Sequence, residues 1–510
     1  MNWIAIPDCP HYWLQRANVP VALLGTSDRV AGDFNATEEG IALLDLRIAD
    51  GTVVEIQPHV CLGELPASDR EMGSGAGLPK STGSSVGDTL ARNEPPAVVD
   101  LAGGMVWPCL VDLHTHLDKG HIWPRTPNPD GTFWTALDRA RADRDRHWTA
   151  EDLYRRMEFG LKCSYAHGTA VVRTHLDSFQ EQAATSWQVF RQLRQAWQNT
   201  IELQAASIQP LDVYLTPQGE ALADLVADSD GLLGGVPQMG PQLAVACDRL
   251  FELAKERDLD IDLHVDESGD PNDIALQYVA RAAMRHGYEG RVVCGHCCSL
   301  AIQPADIVRD TLQLVADAGI AVVSLPQCNL YLQDRYQSAT SLLSTKSSST
   351  TSSLAVTPFQ AASPNPALLQ LAGGQTPRWR GVTLLHELDR AGVPVAVASD
   401  NCRDPFHAFG DHDMLEVFAW AVRIAHLDMS YGDWPVAVAR TPARISGAKS
   451  CGTIAVGQPA NLVVCRGRNF SELLARHQSD RVVLRNGLAV STVLPSYAEL
   501  DDLMLAPRSV

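Results

Sequence analysis

The sequence predicts an α/β fold: a (β/α)8 TIM barrel with a small β-sandwich subdomain formed by both chain termini. From residue 110 onward, eight short apolar runs alternate with segments of helical periodicity over about 300 residues, close to the length typical of such barrels. On either side of this region, short alternating runs flank Asp-Gly at 50–51 and Asn-Gly at 486–487, which are hairpin signals. A doubly wound open sheet is the alternative, but eight strand–helix units favour the barrel.

The predicted elements follow the hydrophobic pattern along the chain. The barrel strands are predicted at 110–114, 169–177, 201–209, 231–238, 260–267, 291–296, 320–327 and 393–400. Amphipathic helices are predicted at 151–168, 242–258 and 272–287. In a closed barrel of parallel strands, the carboxyl ends of all the strands meet on one face, where the active site lies.

The same patterns divide the chain into three parts. Residues 1–105 and 449–510 form the β subdomain, and 106–448 form the barrel. Segments 67–96 and 338–378 are rich in Gly, Ser or Thr and lack apolar periodicity, so both are predicted to be flexible insertions. The second follows the seventh strand and is interpreted either as an active-site lid or as an insertion with no role in chemistry.

Composition limits the partners. The 510-residue chain carries a net charge of −19, which disfavours nucleic acid and anionic membranes as partners and fits a small neutral or cationic substrate better. Neither a secretory signal nor a run long enough to span a bilayer is found in the sequence. The 12 cysteines lack small-domain spacing and are interpreted as reduced thiols. We therefore expect a cytoplasmic protein, and the sequence leaves homo-oligomer assembly open.

A His-x-His motif ends the first predicted strand. His114 and His116 are two residues apart, so in a strand their side chains point to the same face. An apolar run followed by His-x-His has little rationale in packing. The pair is therefore predicted to bind a divalent metal ion.

Four further polar side chains lie at the ends of later strands. His264 and Glu267 end the fifth strand, His296 the sixth and Asp400 the eighth. A hydrolytic metal site needs three or four N or O ligands and an open position for a water, whose pKa the metal lowers from near 16 to about 7. His264 and Asp400 are predicted ligands, Glu267 the proton shuttle, and His296 a hydrogen-bond donor to the attacking water or the oxyanion.

The remaining histidines are predicted to be structural. A single histidine at a strand end is more often hydrogen-bonded than ligating. His175, at the end of the second strand, is interpreted as a structural residue or one that supports the ligands, rather than as a ligand itself. The histidines predicted on loops or helices are His121, His167, His286, His386, His426 and His477.

The motifs together resemble the amidohydrolase superfamily, and within it the cytosine deaminase branch. The segments that carry the resemblance are LVDLHTHLDKG (110–120), VVRTHLD (171–177), IDLHVDE (261–267), VVCGHC (292–297), PQCNLYLQDR (326–335) and VAVASDNCRDPF (395–406). The resemblance implies one divalent metal ion, Fe2+ or Zn2+, held by His114, His116, His264 and Asp400. It also implies Glu267 as proton shuttle, His296 as catalytic histidine and Asp400 as base. The fourth strand has no lysine, which fits a single-metal branch.

The departures from this family pattern concern the substrate. After the third strand the family places Pro-Gln, whereas this chain has Gln209 before Pro210. Asn401 stands where the family has a second Asp, and Phe406 follows where the family has Trp. Gln209, Asn329, Asn401 and Phe406 are the predicted substrate-binding residues.

The resemblance implies a metal-dependent hydrolytic deaminase that releases ammonia from a cytosine-like aminated heterocycle by attack of a metal-bound hydroxide. Other cyclic amidines, aminotriazines and creatinine-like compounds remain open as substrates. One alternative is a cyclic amide or imide amidohydrolase that opens the ring, and another is a catalytically inactive barrel that acts as a scaffold. Ammonia release separates the deaminase from the ring-opening amidohydrolase. A bound stoichiometric metal ion argues against the scaffold.

Overall fold

The computed structural model describes residues 3–25, 34–60, 96–335 and 376–504. The predicted insertions at 67–96 and 338–378 lie outside the described residues, apart from 96 and 376–378. The strands are β1 (His11–Pro20), β2 (Ile41–Ala49), β3 (Thr52–Pro58), β4 (Ala97–Asp100), β5 (Met105–Pro108), β6 (Leu110–Thr115), β7 (Thr169–Asp177), β8 (Glu202–Ile208), β9 (Leu233–Gly235), β10 (Ile261–Val265), β11 (Val292–His296), β12 (Ala321–Ser324), β13 (Val395–Val397), β14 (Leu462–Cys465), β15 (Arg481–Arg485) and β16 (Leu488–Ala489).

The helices alternate with the strands from β6 onward. They are α1 (Phe133–His147), α2 (Ala150–His167), α3 (Gln180–Trp197), α4 (Pro217–Asp228), α5 (Leu243–Glu256), α6 (Ala275–Arg285), α7 (Ala305–Asp317), α8 (Pro326–Leu332), α9 (Leu385–Arg390), α10 (Met414–Ala425), α11 (Arg440–Ser446), α12 (Phe470–Ala475) and α13 (Asp501–Met504). Among the described residues, none of these helices is both long and apolar enough to cross a membrane.

Both ends of the chain contribute to one eight-stranded sheet. Its order is β16-β15-β14-β5-β1-β2-β3, and β4 pairs with β1. The two ends join where β14 runs antiparallel to β5, with Val464 opposite Val106. The described strands from the two chain ends form this one sheet, so the predicted β-sandwich stays a prediction.

Eight parallel strands, β6 to β13, form the α/β part. Each lies within or overlaps one of the predicted strand segments. They form a three-stranded sheet (β6-β7-β8) and a five-stranded sheet (β13-β12-β11-β10-β9). At the two seams the pairing is reduced to single bridges, including Ala206 with Leu232 and Thr115 with Asp400. Continuous pairing therefore does not close the barrel, since β9 and β13 have only three residues each.

Local sequence signals set the limits of α2. Thr149 caps its N-terminus by accepting a hydrogen bond from the Asp152 amide, and acidic residues occupy the first turn, where they complement the helix dipole. Gly168 ends the helix with φ of 94°, a left-handed conformation that favours glycine. A Cβ at this position would lie 2.6 Å from Val463 Cγ2, so only glycine fits between α2 and β7.

A buried ion pair joins β15 to the start of α10. Arg481 donates to both carboxylate oxygens of Asp413, each at 2.9 Å, and also to the His167 carbonyl. Their side chains are 6% and 0% exposed. We expect Arg481→Met to lower the free energy of unfolding by about 3–5 kcal/mol, because it leaves a buried carboxylate unpaired.

Urea unfolding measures this loss. The matched control is Arg309→Met, since Arg309 pairs with Asp310 at the surface, where both side chains are more than two-thirds exposed. Its expected effect is about 0–1 kcal/mol. Equal losses in the two variants would mean that the buried pair contributes no more to the free energy of unfolding than the surface pair.

Candidate active site

The four predicted ligands lie close together on the carboxyl side of the parallel strands. His264 Nε2 lies 3.0 Å from His114 Nε2 and 3.1 Å from His116 Nε2. Asp400 Oδ1 lies 3.3 Å from His116 Nε2 and 3.7 Å from His114 Nε2. We call this group of four the His/Asp cluster. A tetrahedral ion with bonds of about 2.0–2.2 Å would separate its ligand atoms by about 3.3–3.6 Å. The four spacings lie within about 0.3 Å of this range, so small side-chain shifts would let the cluster hold one ion.

The donor atoms of the His/Asp cluster need a shared partner. The four side chains are at most 6% exposed. Neither carboxylate oxygen of Asp400 accepts a well-formed hydrogen bond from an N–H or O–H group of the described residues, and the Cys328 thiol beside it is a weak donor. A neutral His264 Nε2 that carries a proton can donate it to only one of the two facing nitrogens. A buried carboxylate with only a weak thiol donor is costly, so these residues fit a cation.

Burial also sets the protonation of the imidazoles. Burial, followed by the charges of neighbouring histidines, lowers the pKa of His114 and of His264 well below the usual value of 6.5. Burial and then Lys119 do the same to the pKa of His116. The three rings are therefore neutral at pH 7, which is the form that binds metal.

Hydrogen bonds between strands position the ligands. The amide of Asp400 donates to the His114 carbonyl at 2.8 Å, which ties the end of the eighth strand to the first. One layer below, Asp112 accepts from the Ser399 amide at 3.0 Å and from its hydroxyl. Asp400 (φ 65°) and His296 (φ 68°) both have left-handed backbone conformations. Such conformations are rare outside glycine and cluster at functional sites.

Glu267 and His296 lie together beside the cluster. Glu267 Oε1 is 3.4 Å from His296 Nδ1. The Glu267 side chain is 14% exposed, whereas that of His296 is 1% exposed. Burial, and then the charge of Asp400, raises the pKa of Glu267 well above its usual value. The Glu267 side chain therefore favours its protonated form.

Asn329 orients His296. Its amide nitrogen lies 3.0 Å from His296 Nδ1, and its Oδ1 is buried without a hydrogen-bond partner among the described residues. If the amide donates, Nδ1 is the acceptor and Nε2 carries the proton. Burial lowers the pKa of His296 to about 3, so the ring is neutral. Its Nε2–H has no partner among the described residues and is free to donate to a bound molecule.

The other three predicted substrate-binding residues bond or pack to neighbouring loops. Gln209 donates its amide to the Ser178 carbonyl, and Asn401 donates to Asp404 at 2.6 Å. Phe406 packs in a small apolar cluster edge-on to Phe133, with ring centroids 5.6 Å apart. These contacts are with protein groups, so the structure gives no separate support for their roles with substrate.

His175, which was not predicted to bind metal, lies next to two of the proposed ligands. Its ring centroid is 3.9 Å from that of His114, and neither ring nitrogen has a hydrogen-bond partner among the described residues. One nitrogen of each of His114, His175 and His264 lies within 4.8 Å of the others, as do ligand atoms of His114, His116 and Asp400. Two overlapping ligand sets are therefore present, and the sequence signal for the second was only the strand-end position of His175.

A buried group of polar side chains near the His/Asp cluster was not predicted from the sequence. Lys119 donates to Asp177, while the Asp177 amide donates to Asp118 Oδ2 at 2.7 Å. All three are less than 10% exposed. Asp404 is a further buried carboxylate, and burial raises its pKa to about 7. Asp118 and Lys119 directly follow the His-x-His motif in the sequence, and this position could have indicated that they lie near the site.

Comparisons with known proteins show the family to which the chain belongs. The amidohydrolase family model Amidohydro_3 matches residues 188–494, more than half of the chain. The chain is 43% identical over 504 residues to a pterin deaminase of Rhizobium rhizogenes (strain K84), with 99% of each chain covered. It is 23% identical over 403 residues to N-isopropylammelide isopropyl amidohydrolase of Pseudomonas sp. (strain ADP), covering 76% of this chain and 86% of the relative.

A solved structure supports the same fold. The 5-methylcytosine deaminase of Klebsiella pneumoniae, determined with 5-fluorocytosine, superposes with a TM-score of 0.68 at 21% identity, covering 94% of this chain and 97% of that one. At this identity the likeness concerns the fold. The family-model match and the 43% identical relative show more than the fold, and the chain belongs to the amidohydrolase family.

Proposed function

We propose that this protein is a metal-dependent hydrolytic deaminase that releases ammonia from an aminated nitrogen heterocycle. The observation that carries the proposal is the His/Asp cluster with the Glu267–His296 pair beside it. The similarity to a pterin deaminase over almost the whole chain supports the reaction type. A ring-opening amidohydrolase has no comparable support, although it requires a similar set of groups.

The proposed metal ligands are His114, His116, His264 and Asp400. Three imidazoles and one carboxylate suit either Zn2+ or Fe2+, and we propose a single ion. When bound, the ion supplies a Lewis acid that lowers the pKa of a water from near 16 to about 7. The fit rests on the ligand spacings and on the buried carboxylate of Asp400, which has only the weak thiol donor of Cys328 beside it.

The chain's own groups then move the protons. Asp400 would accept a proton from the attacking water, and Glu267 would deliver a proton to the ring nitrogen next to the carbon that carries the amine. His296 would donate a hydrogen bond from Nε2–H to the oxygen that develops negative charge at that carbon. As the C–N bond breaks, the proton on Asp400 would pass to the amine, which leaves as ammonia, and the hydroxyl proton of the carbon would return to Glu267. Asn329 holds this tautomer through its contact with Nδ1 at 3.0 Å.

For the substrate we propose a pterin-type ring, a 2-amino-4-oxopyrimidine fused to a pyrazine. The relative with 43% identity is a pterin deaminase, whereas the likeness to the 5-methylcytosine deaminase has 21% identity. A cytosine-like ring presents the same amidine unit, an amino carbon next to a ring nitrogen, and is the second candidate. The unpartnered Asn329 Oδ1 offers an acceptor for a ring N–H, and Gln209, Asn401 and Phe406 remain proposed substrate contacts.

The remaining sequence predictions belong to the same proposal. We propose that the barrel spans 106–448 between the two parts of the β subdomain. We also propose that the protein acts in the cytoplasm on a small molecule, without nucleic acid or membrane as partner. Whether it assembles as a homo-oligomer is left to measurement.

A substrate panel tests the function. We expect ammonia release from pterin and related pterins, less from cytosine and 5-methylcytosine, and none from hydantoin. Treatment with a chelator should abolish turnover, and Zn2+ or Fe2+ should restore it, because unaided water is a poor nucleophile at neutral pH.

Three results would count against the proposal. A new carboxylate without ammonia would indicate ring opening. Full activity after complete metal removal would exclude the metal-dependent reaction. Zinc- and iron-loaded protein that turned over none of these compounds would favour the inactive scaffold.

A further inference from the structure

A second buried group of ligand-type side chains lies behind the loops that carry the His/Asp cluster. One nitrogen each of His121 and His412 and the thiol sulfur of Cys402 all lie within 4.8 Å of one another. Each of the three residues is 2% exposed. We call this group the His-Cys cluster. It shares no residue with the His/Asp cluster.

The two imidazoles of the His-Cys cluster lack partners. Neither ring nitrogen of His121 or of His412 has a hydrogen-bond partner among the described residues. Buried imidazoles are normally hydrogen-bonded, so four unpartnered ring nitrogens in one place call for an occupant. A structural role for His121 on a loop, as predicted from the sequence, does not account for these nitrogens.

The two rings are held in place by packing. His121 lies edge-on to Phe159, with ring centroids 4.7 Å apart, and its amide donates to the Cys402 carbonyl at 3.0 Å. A Cβ at Gly160 of α2 would lie 3.0 Å from His412 Nε2, so the helix makes room for this ring. Burial lowers the pKa of His412 to about 4, and the ring is therefore neutral with a free lone pair.

We infer that His121, Cys402 and His412 bind a structural Zn2+ ion, distinct from the proposed catalytic metal. Two neutral imidazoles and a thiolate are the donor types that Zn2+ prefers, and structural sites complete a tetrahedron with a fourth protein ligand. Asp411 precedes His412 in the chain and accepts from Tyr497 at 3.0 Å, with His167 Nε2 at 2.9 Å. The fourth position would therefore be filled by a water or by a rearranged Asp411 carboxylate.

Such an ion would brace the proposed active site. His121 follows His116 in the loop after β6, and Cys402 follows Asp400 in the loop after β13. An ion that joins them would hold these two loops together, while His412 would attach both to the start of α10. Its role would be positional, since among the described residues none of the three forms a hydrogen bond or ion pair with the side chains of the His/Asp cluster.

Cobalt substitution tests the inference directly. Thiolate bound to Co2+ gives a charge-transfer absorption in the near ultraviolet, which the His/Asp cluster cannot produce because it has no sulfur ligand. We expect this absorption in the full-length Co2+-loaded protein and about two equivalents of metal per chain. Cys402→Ser should remove the absorption and leave about one equivalent, whereas His264→Asn should keep the absorption and lose the other equivalent.

Two cysteine controls define the source of the signal. Cys328 is buried next to Asn401, with Sγ 3.6 Å from its Oδ1, and Cys109 is buried elsewhere. Cys328→Ser and Cys109→Ser should both keep the absorption. Wild-type protein that binds one equivalent at saturating Co2+ without the absorption would overturn the inference, and a water would then be the occupant. That result would leave the proposed function intact.

Discussion

The His264→Asn variant is expected to lose the catalytic metal ion and, with it, ammonia release, by at least about 1,000-fold. His264 has the central position in the His/Asp cluster, since its Nε2 faces both His114 Nε2 at 3.0 Å and His116 Nε2 at 3.1 Å. Its removal takes one of four ligands and leaves two nitrogens and a buried carboxylate without a common partner. Metal analysis of the dialysed protein and an ammonia assay measure the two losses.

His175→Asn is the matched control. His175 is as buried as His114, and one of its nitrogens lies within 4.8 Å of ligand atoms of His114 and His264. If the proposed ligand set is right, His175→Asn keeps its catalytic metal and His264→Asn does not. If instead His175→Asn loses metal while Asp400→Asn keeps it, the ion is held by His114, His175 and His264, and the scheme in which Asp400 acts at the metal fails.

The strand pattern was predictable because a buried parallel strand leaves a simple mark in the sequence. Runs such as residues 169–177, bounded by an amphipathic helix and a capping Gly168, define their own ends, and β7 has these limits. The weak run at 231–238 contains only the three-residue β9. A Cβ at Gly234 would lie 2.2 Å from the Ser207 carbonyl oxygen. The path of the backbone here is determined by this close packing, which the hydrophobic periodicity of the sequence does not indicate.

The proposed ligands were predictable for a different reason. His114, His264 and Asp400 all sit at strand ends, and parallel strands bring their carboxyl ends to one face. The sequence could not show which groups turn toward other partners. The side-chain amide of Asn401, for example, donates a hydrogen bond to Asp404, three residues later. The His-Cys cluster was also hidden, because His121, Cys402 and His412 lie on loops whose paths depend on tertiary packing.

The Glu267→Gln variant is expected to keep its metal ion but to lose about 100- to 10,000-fold in kcat. Glutamine has nearly the same shape and keeps the position beside His296, 3.4 Å from Nδ1. It cannot take up and release a proton, so the ring nitrogen would no longer be protonated as the amine leaves. KM should change little, because the carboxylate contributes mainly to proton transfer rather than to substrate binding.

The control and the contradicting outcomes separate this role from metal binding. Glu252→Gln removes an exposed glutamate of α5, 49% exposed, and should leave kcat, KM and metal content unchanged. Loss of metal in Glu267→Gln would mean that Glu267 is a ligand. A kcat within about threefold of wild type, with metal retained, would mean that another group carries the proton. His296 is not a strong candidate for that role, because burial lowers the pKa of its ring to about 3 and keeps it neutral.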